Sequence, residues 1–229
     1  METPPPLSPW PSPWANRCDG KPPPRPPADL DVRKPSWRTW PTTDPLWQVA
    51  NTGGSFAARF AIMRAYGPLA SAWFDPHPPP PAEHPTERIL YAAIDLVTAL
   101  AERFQNGREI RCRQTTEPVV YSWMPTRPLQ LIDVTNLSAL RLGASRLLST
   151  GPKRHTRTWA VAIRRTWPAA DGLLYQSSLA GRECVALWAP AANSFPPRPA
   201  FAKLLSDPAP AWIRTLRTTA AHIHYDFYR

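Results

Sequence analysis

Apolar positions along this chain change their period several times, and each change marks an element. Residues 89–94 form a continuous apolar run, Ile-Leu-Tyr-Ala-Ala-Ile, of the length of a buried strand. Asp95 follows as an N-cap, and Leu96, Leu100 and Phe104 recur at i, i+4 and i+8, the stripe of a helix that Gly107 is placed to stop. Residues 109–113, 119–123 and 129–134 read as strands divided by turn and proline signals, the last two joined through Pro125 and Pro128. Leu137, Leu140, Ala144 and Leu147 predict one amphipathic helix. Trp159, Ile163 and Trp167 predict another, which Pro168 must end. Strands at 173–177 and 183–188 flank a turn at Gly181, and residues 221–228 alternate as an edge or closing strand does. Upstream, residues 55–66 have the composition of a short helix ended by Gly67 and Pro68. Strands that come grouped, without regular alternation with helices, predict an α+β fold and not a doubly wound sheet.

Length and composition sharpen this picture. A chain of 229 residues holds one substantial core plus extensions, and 43% hydrophobic residues with 11 Trp exclude a wholly disordered chain. The 32 prolines cluster at residues 1–35 and 76–85. Runs such as Pro4-Pro5-Pro6 remove backbone donors and hold φ near the polyproline value, so residues 1–36 are expected to form an extended or disordered arm ahead of a domain at 37–229. Trp10 and Trp14 in that arm are of the kind that docks a partner. The second cluster lies inside the folded region and reads as a rigid loop between elements.

The net charge of +10 raises the question of nucleic acid, because clustered Lys and Arg neutralise phosphates. Here the arginines are spread along the chain, no zinc-finger or RNP-type motif accompanies them, and the single dense basic run is Lys153 to Arg157. Direct nucleic-acid binding is therefore not expected. That run reads as a solvated face or a patch for an acidic partner. Cys18, Cys112 and Cys184 are odd in number and widely spaced, which supports neither a disulfide framework nor a Cys-x-x-Cys metal site and fits a reducing cytoplasm. No apolar stretch approaches the roughly 18 residues of a membrane span, and no signal peptide is expected. His222 and His224 share one face of the expected terminal strand, but no third metal ligand is suggested. Nucleophile elbows, phosphate-cradling Gly-rich loops and His-Glu-x-x-His are all missing.

Four segments carry a resemblance. Residues 88–102 present Tyr91 in the strand and, eleven residues on, Glu102 in the helix, and this resembles the "LYxA, then TAxxE" signature of RES domains. Asp171-Gly172-Leu-Leu-Tyr175-Gln-Ser177 resembles that family's "DGxxYxS" segment, with an apolar strand following as it should. Residues 67–77, ending Trp73-Phe74-Asp75-Pro76-His77, are similar to a stretch usually read as "GPxxxxRFDPH", and Trp37-Arg38 is similar to an opening aromatic-Arg pair. In order, these segments span nearly everything after the arm.

The resemblance implies a fold similar to ADP-ribosyltransferases, a mixed and mostly antiparallel sheet flanked by helices. It also implies destruction of NAD⁺ by phosphorolysis or hydrolysis, with NAD⁺ as substrate, inorganic phosphate as a candidate co-substrate and no separate cofactor or metal. Many such proteins are toxins neutralised by a helix-turn-helix antitoxin. Carried over residue by residue, Glu102, Tyr91 and Arg38 are the catalytic candidates and Ser177 a cofactor-binding one. Breaking the nicotinamide–ribose bond builds oxocarbenium character that a carboxylate such as Glu102 stabilises. Arg38 would clamp the pyrophosphate through its fork, Tyr91 would offer a flat face to nicotinamide, and Ser177 would donate a hydrogen bond. From periodicity alone, however, Glu102 shares a polar stripe with Asp95 and Thr98 that reads as solvated.

The chain departs from the pattern at Trp73, where an Arg is expected. Arg59 and Arg64 are the candidates to take its place at the pyrophosphate. Two alternatives stay open: a catalytically impaired protein that keeps the RES fold, and a basic partner-binding module without enzymatic activity.

Overall fold

A computed structural model describes residues 25–229. Its body is an eight-stranded sheet in the order β1-β8-β9-β10-β5-β2-β7-β11. The strands are β1 (Ser36–Trp40), β2 (Leu46–Asn51), β5 (Ile89–Ala93), β7 (Pro118–Trp123), β8 (Leu129–Asp133), β9 (Gly172–Gln176), β10 (Glu183–Trp188) and β11 (Phe201–Leu204). Every neighbouring pair is antiparallel except β8 with β9. A parallel pair needs a long crossover. Here α2 (Ser138–Arg141), α3 (Leu147–Thr150) and α4 (Lys153–Thr166) supply it. Two small sheets complete the fold: β3 (Tyr66–Gly67) with β4 (Ala82–Glu83), and β6 (Glu109–Arg111) with β12 (Asp226–Tyr228). The expected α+β class with a mostly antiparallel sheet is what the chain adopts.

Alternation along the central strands divides the interior into layers. Ile89 and Ala93 of β5, Cys184 and Ala186 of β10 and Leu173 and Tyr175 of β9 pack beneath Trp159, Ala160 and Ile163 of α4. Leu90, Ala92, Val185, Leu187 and Leu174, one residue out of phase, meet Trp40, Leu46 and Trp123 on the other face. A third cluster joins Leu100 and Phe104 of α1 (Leu96–Arg103) to Trp212, Leu216 and Ala220 of α5 (Pro210–His222). Asp95 caps α1 as expected, its carboxylate accepting from the Thr98 N–H at 2.8 Å.

The structure corrects the sequence reading in four places. Residues 55–66 form no helix, because their backbone pairs outward: Ala58 N–H donates to Asn51, and Arg64 exchanges hydrogen bonds with Ile89. The single helix expected through Leu137, Leu140, Ala144 and Leu147 is two short ones, broken at Gly143, where φ is +80° and an added Cβ would meet Arg33 Nη1 at 2.8 Å. Leu137 and Leu140 are consequently 77% and 55% exposed, while Ala139, Leu142 and Leu148 are buried. The terminal strand is confined to Asp226–Tyr228, since residues before it belong to α5, so His222 ends a helix and does not share a strand face with His224. Finally, folded chain extends upstream of residue 37: Leu30 opens a 3-10 turn (Leu30–Val32) and is buried in the α4 layer. The remainder of the expected arm, with Trp10 and Trp14, lies outside the described residues. Among the described residues no helix is long and apolar enough to cross a membrane.

Candidate active site

β5 and β2 are paired at a single register position, Trp47 with Ala93, and then part. A cleft of about 390 Å³ opens there, lined by Trp47, Gln48 and Val49 of β2, by β5, by Ala99, Glu102 and Arg103 of α1, and by the irregular stretch that carries Arg64 and Trp73. Its size suits a small organic ligand.

Tyr91 and Glu102 both line this cleft, and the buried Ser177, just past the end of β9, does not line it but touches Glu102 from behind. Ser177 Oγ donates to Glu102 Oε1 at 2.5 Å. The hydroxyl is aimed by its own turn, in which the N–H groups of Leu179 and Ala180 donate to Ser177 Oγ at 3.2 and 3.0 Å. The polar stripe of α1 thus turns inward, with Thr98 buried and Asp95 and Glu102 partly so. Leu100 and Phe104 bind one side of the helix to α5, while Thr98, fully buried, and Glu102 turn inward. Burial pushes the Glu102 carboxyl up, and the Ser177 hydrogen bond and the Lys153 charge work against that rise.

The remainder of "DGxxYxS" is accounted for by packing. Asp171 takes a two-pronged ion pair from Arg127 at 2.8 and 2.7 Å and accepts from the Gln130 N–H at 2.8 Å. A side chain at Gly172 would drive its Cβ to 2.1 Å from the Ala186 carbonyl oxygen. Tyr175 stacks on Phe74 with ring centroids 4.8 Å apart. Cys184 also lines the cleft, but burial holds its thiol well above the usual range, which removes it as a nucleophile. The Tyr91 hydroxyl is shielded and lacks a hydrogen-bond partner of good geometry; desolvation holds its pKa far above the ordinary value. It stays a neutral phenol.

Of the three arginines singled out from the sequence, the structure brings one to the cleft. Arg64 lines it and is fixed by Asp75, which accepts from Arg64 Nη2 at 2.9 Å and from the Leu69 N–H at 2.9 Å, and is hydrogen-bonded to His77 Nδ1. Asp75 and His77 are both fully enclosed. Burial pushes the Asp75 carboxyl up, but the His77 and Leu69 hydrogen bonds and the Arg64 charge overcome it and hold the pKa below its usual value. Gly67 is required beside them, since a Cβ there would lie 2.4 Å from His77 Nδ1. Arg59 is exposed, because the bond from Ala58 to Asn51 turns Ala58, and not its neighbour, into the cleft. Arg38 is exposed on β1, an edge strand four places from β5 in the sheet, so the expected pyrophosphate role at Arg38 does not fit this cleft.

Several cleft residues were not singled out from the sequence, Gln48 and Arg103 among them. Gln48 lies on a strand whose aromatic and proline neighbours hid its alternation. Arg103 donates to Asn51 Oδ1 at 2.7 Å and ties α1 to β2 beside Glu102. The adjacent position to Glu102 was the available signal for it.

The cleft between the diverging strands holds a serine-bonded carboxylate, a tyrosine and a clamped arginine together on an α+β fold, a candidate small-molecule site. The chain belongs to the RES domain family, whose profile matches residues 26–207. In three dimensions it is similar to a chain of the crystal structure of the M. tuberculosis MbcT–MbcA toxin–antitoxin complex, with a TM-score of 0.51 and 14% identity over 82% of this chain and 94% of that one. No curated protein matches the sequence.

Proposed function

We propose that this protein cleaves the nicotinamide–ribose bond of NAD⁺, with water or inorganic phosphate as acceptor, and serves as the toxin of a toxin–antitoxin pair in the cytoplasm. The observation that carries the reading is the Ser177–Glu102 hydrogen bond at the cleft that also holds Tyr91 and Arg64. Family membership and the toxin–antitoxin complex that contains the similar fold support it.

In this reading the C1′–N bond breaks with its electron pair passing to the pyridinium ring, which leaves as neutral nicotinamide. Positive charge then develops on the ribose. Glu102, ionised and aimed by Ser177, stabilises that charge and orients the acceptor: water forms the new C1′–O bond with release of one proton to solvent, whereas phosphate forms it through an oxygen that is already unprotonated. Tyr91 gives the nicotinamide ring a flat neutral wall. Arg64, already oriented by Asp75, meets the pyrophosphate with the guanidinium capacity that its ion pair leaves free.

A second reading, a RES fold without turnover, is favoured by Trp73, an indole lining the cleft where a guanidinium is expected. Nicotinamide release from NAD⁺ by the full chain, with and without phosphate, separates the two. Turnover is expected in wild type and should fall by about 10²-fold or more in Glu102→Ala, with the circular dichroism unchanged. Wild type that binds NAD⁺ but leaves it intact would establish the second reading, and turnover surviving Glu102→Ala would refute the role of the carboxylate.

A further inference from the structure

The first turns of α4 carry Lys153, Arg154 and Arg157 with no acidic residue in the first turn and no side-chain cap at Pro152. A cation at a helix N-terminus opposes the macrodipole by about 0.3–1 kcal/mol, so the folding of α4 does not explain the charge. Its surroundings do. Thr156 Oγ1 lies 2.5 Å from the Trp73 carbonyl oxygen, and Arg157 Nη1 donates to the carbonyls of Ala70 and Ala72 at 3.0 and 3.3 Å. The basic end of the helix is therefore fastened to the segment that lines the cleft. Lys153 Nζ sits 5.5 Å from the centroid of the Trp73 ring, within cation–π range. Lys153 is half-buried and, among the described residues, has no carboxylate at ion-pair distance, although its charge reaches Glu102. Lys153 does not itself line the cleft, but its ammonium lies against Trp73, which does, and its flexible four-carbon stem gives it reach toward an anion bound there.

We infer that Lys153, held against the ring of Trp73, is a phosphate-binding residue whose ammonium reaches a phosphate oxygen of the ligand bound in the cleft. The inference rests on the reading of the cleft as an NAD⁺ site and adds a second cation, from α4, to Arg64. The oxygen belongs either to the dinucleotide pyrophosphate or to inorganic phosphate acting as acceptor.

Full-length wild type, Lys153→Met and Lys153→Arg decide it. NAD⁺ affinity is measured calorimetrically in phosphate-free buffer over a series of NaCl concentrations, nicotinamide release is measured against added phosphate, and inorganic pyrophosphate serves as a probe independent of turnover. Losing a charge-assisted contact should weaken the affected constant roughly tenfold or more. The methionine variant should show a shallower salt dependence and the arginine variant should recover most of the loss. A loss in NAD⁺ affinity assigns the pyrophosphate, and a loss confined to the KM for phosphate assigns the acceptor. Wild-type constants and salt dependence in Lys153→Met overturn the inference. If wild type ignores NAD⁺ but binds pyrophosphate in a Lys153-dependent way, the NAD⁺ reading falls and the assignment of Lys153 stands; if it binds neither, both fall.

Discussion

On one wall of the cleft β5 runs directly into α1, and Tyr91 and Glu102 are placed by strand alternation and helical period within a single unbroken segment. On the opposing wall residues 52–77 have almost no regular structure, and Arg64 and Trp73 are held by a buried Asp75–His77 pair, by a two-residue strand and by hydrogen bonds from α4. The carboxylate wall is therefore specified mainly by local sequence, with Ser177 added from β9. The cation wall is specified by its tertiary partners. A regular element fixes side-chain direction through its own backbone hydrogen bonds, whereas an irregular one depends on each tertiary bond separately.

Removing Asp75 should disrupt the cation wall most severely. Asp75→Ala leaves His77 buried without its carboxylate and Arg64 with the Tyr66 carbonyl but no counter-charge, and losing one partner of a buried ionic pair costs about 3–5 kcal/mol. The melting temperature should drop by roughly 10 °C, with NAD⁺ affinity falling alongside. Because the Asp75 pKa is depressed in the folded protein, its contribution is present above the ordinary value of 3.8 and is lost as pH falls through the lower folded value. An acid titration of stability should show wild type approaching the variant there. An unchanged melting temperature in Asp75→Ala would mean that the cation wall is held by something else.

Ser177→Ala tests the carboxylate wall more gently. The hydroxyl is one of two influences that lower the Glu102 pKa against burial, the other being Lys153, so its removal should raise that pKa further. Activity that needs the carboxylate then survives only to a higher pH on the acid side, and the acid limb of kcat/KM should move upward. An unshifted limb would dissociate Glu102 from the pH dependence.

The smallest effect expected is a gain in stability. A folded-state pKa raised above 4.5 means that ionised Glu102 disfavours folding, so this group's contribution is fully present below 4.5 and is lost as pH rises through the folded value. Glu102→Gln should consequently melt a few degrees higher than wild type at pH 7, and the gap should close toward pH 4.5. Equal melting temperatures at pH 7 would show that the carboxylate carries no such strain.

The legibility of the chain follows the same division. The run from Ile89 to Phe104 was readable because its strand, its Asp95 cap and its helical stripe agree with one another. The helix expected at 55–66 failed because composition does not reveal that Arg64 pairs with Ile89. The stripe through Leu137, Leu140 and Leu147 failed because Arg33, more than a hundred residues earlier, packs against Gly143 where the helix breaks.

Local order along the chain determined the α+β class, the Tyr91-to-Glu102 spacing and the strand that leads to Ser177, since periodicity, capping and close backbone approach are properties of neighbouring residues. Which arginine faces the cleft was decided only in three dimensions. Arg38, Arg59 and Arg64 are chemically identical, and the choice of Arg64 depends on a buried carboxylate, on where β5 and β2 part, and on an edge strand that carries Arg38 away. Long side chains on irregular backbone take their direction from the partners that tertiary structure supplies.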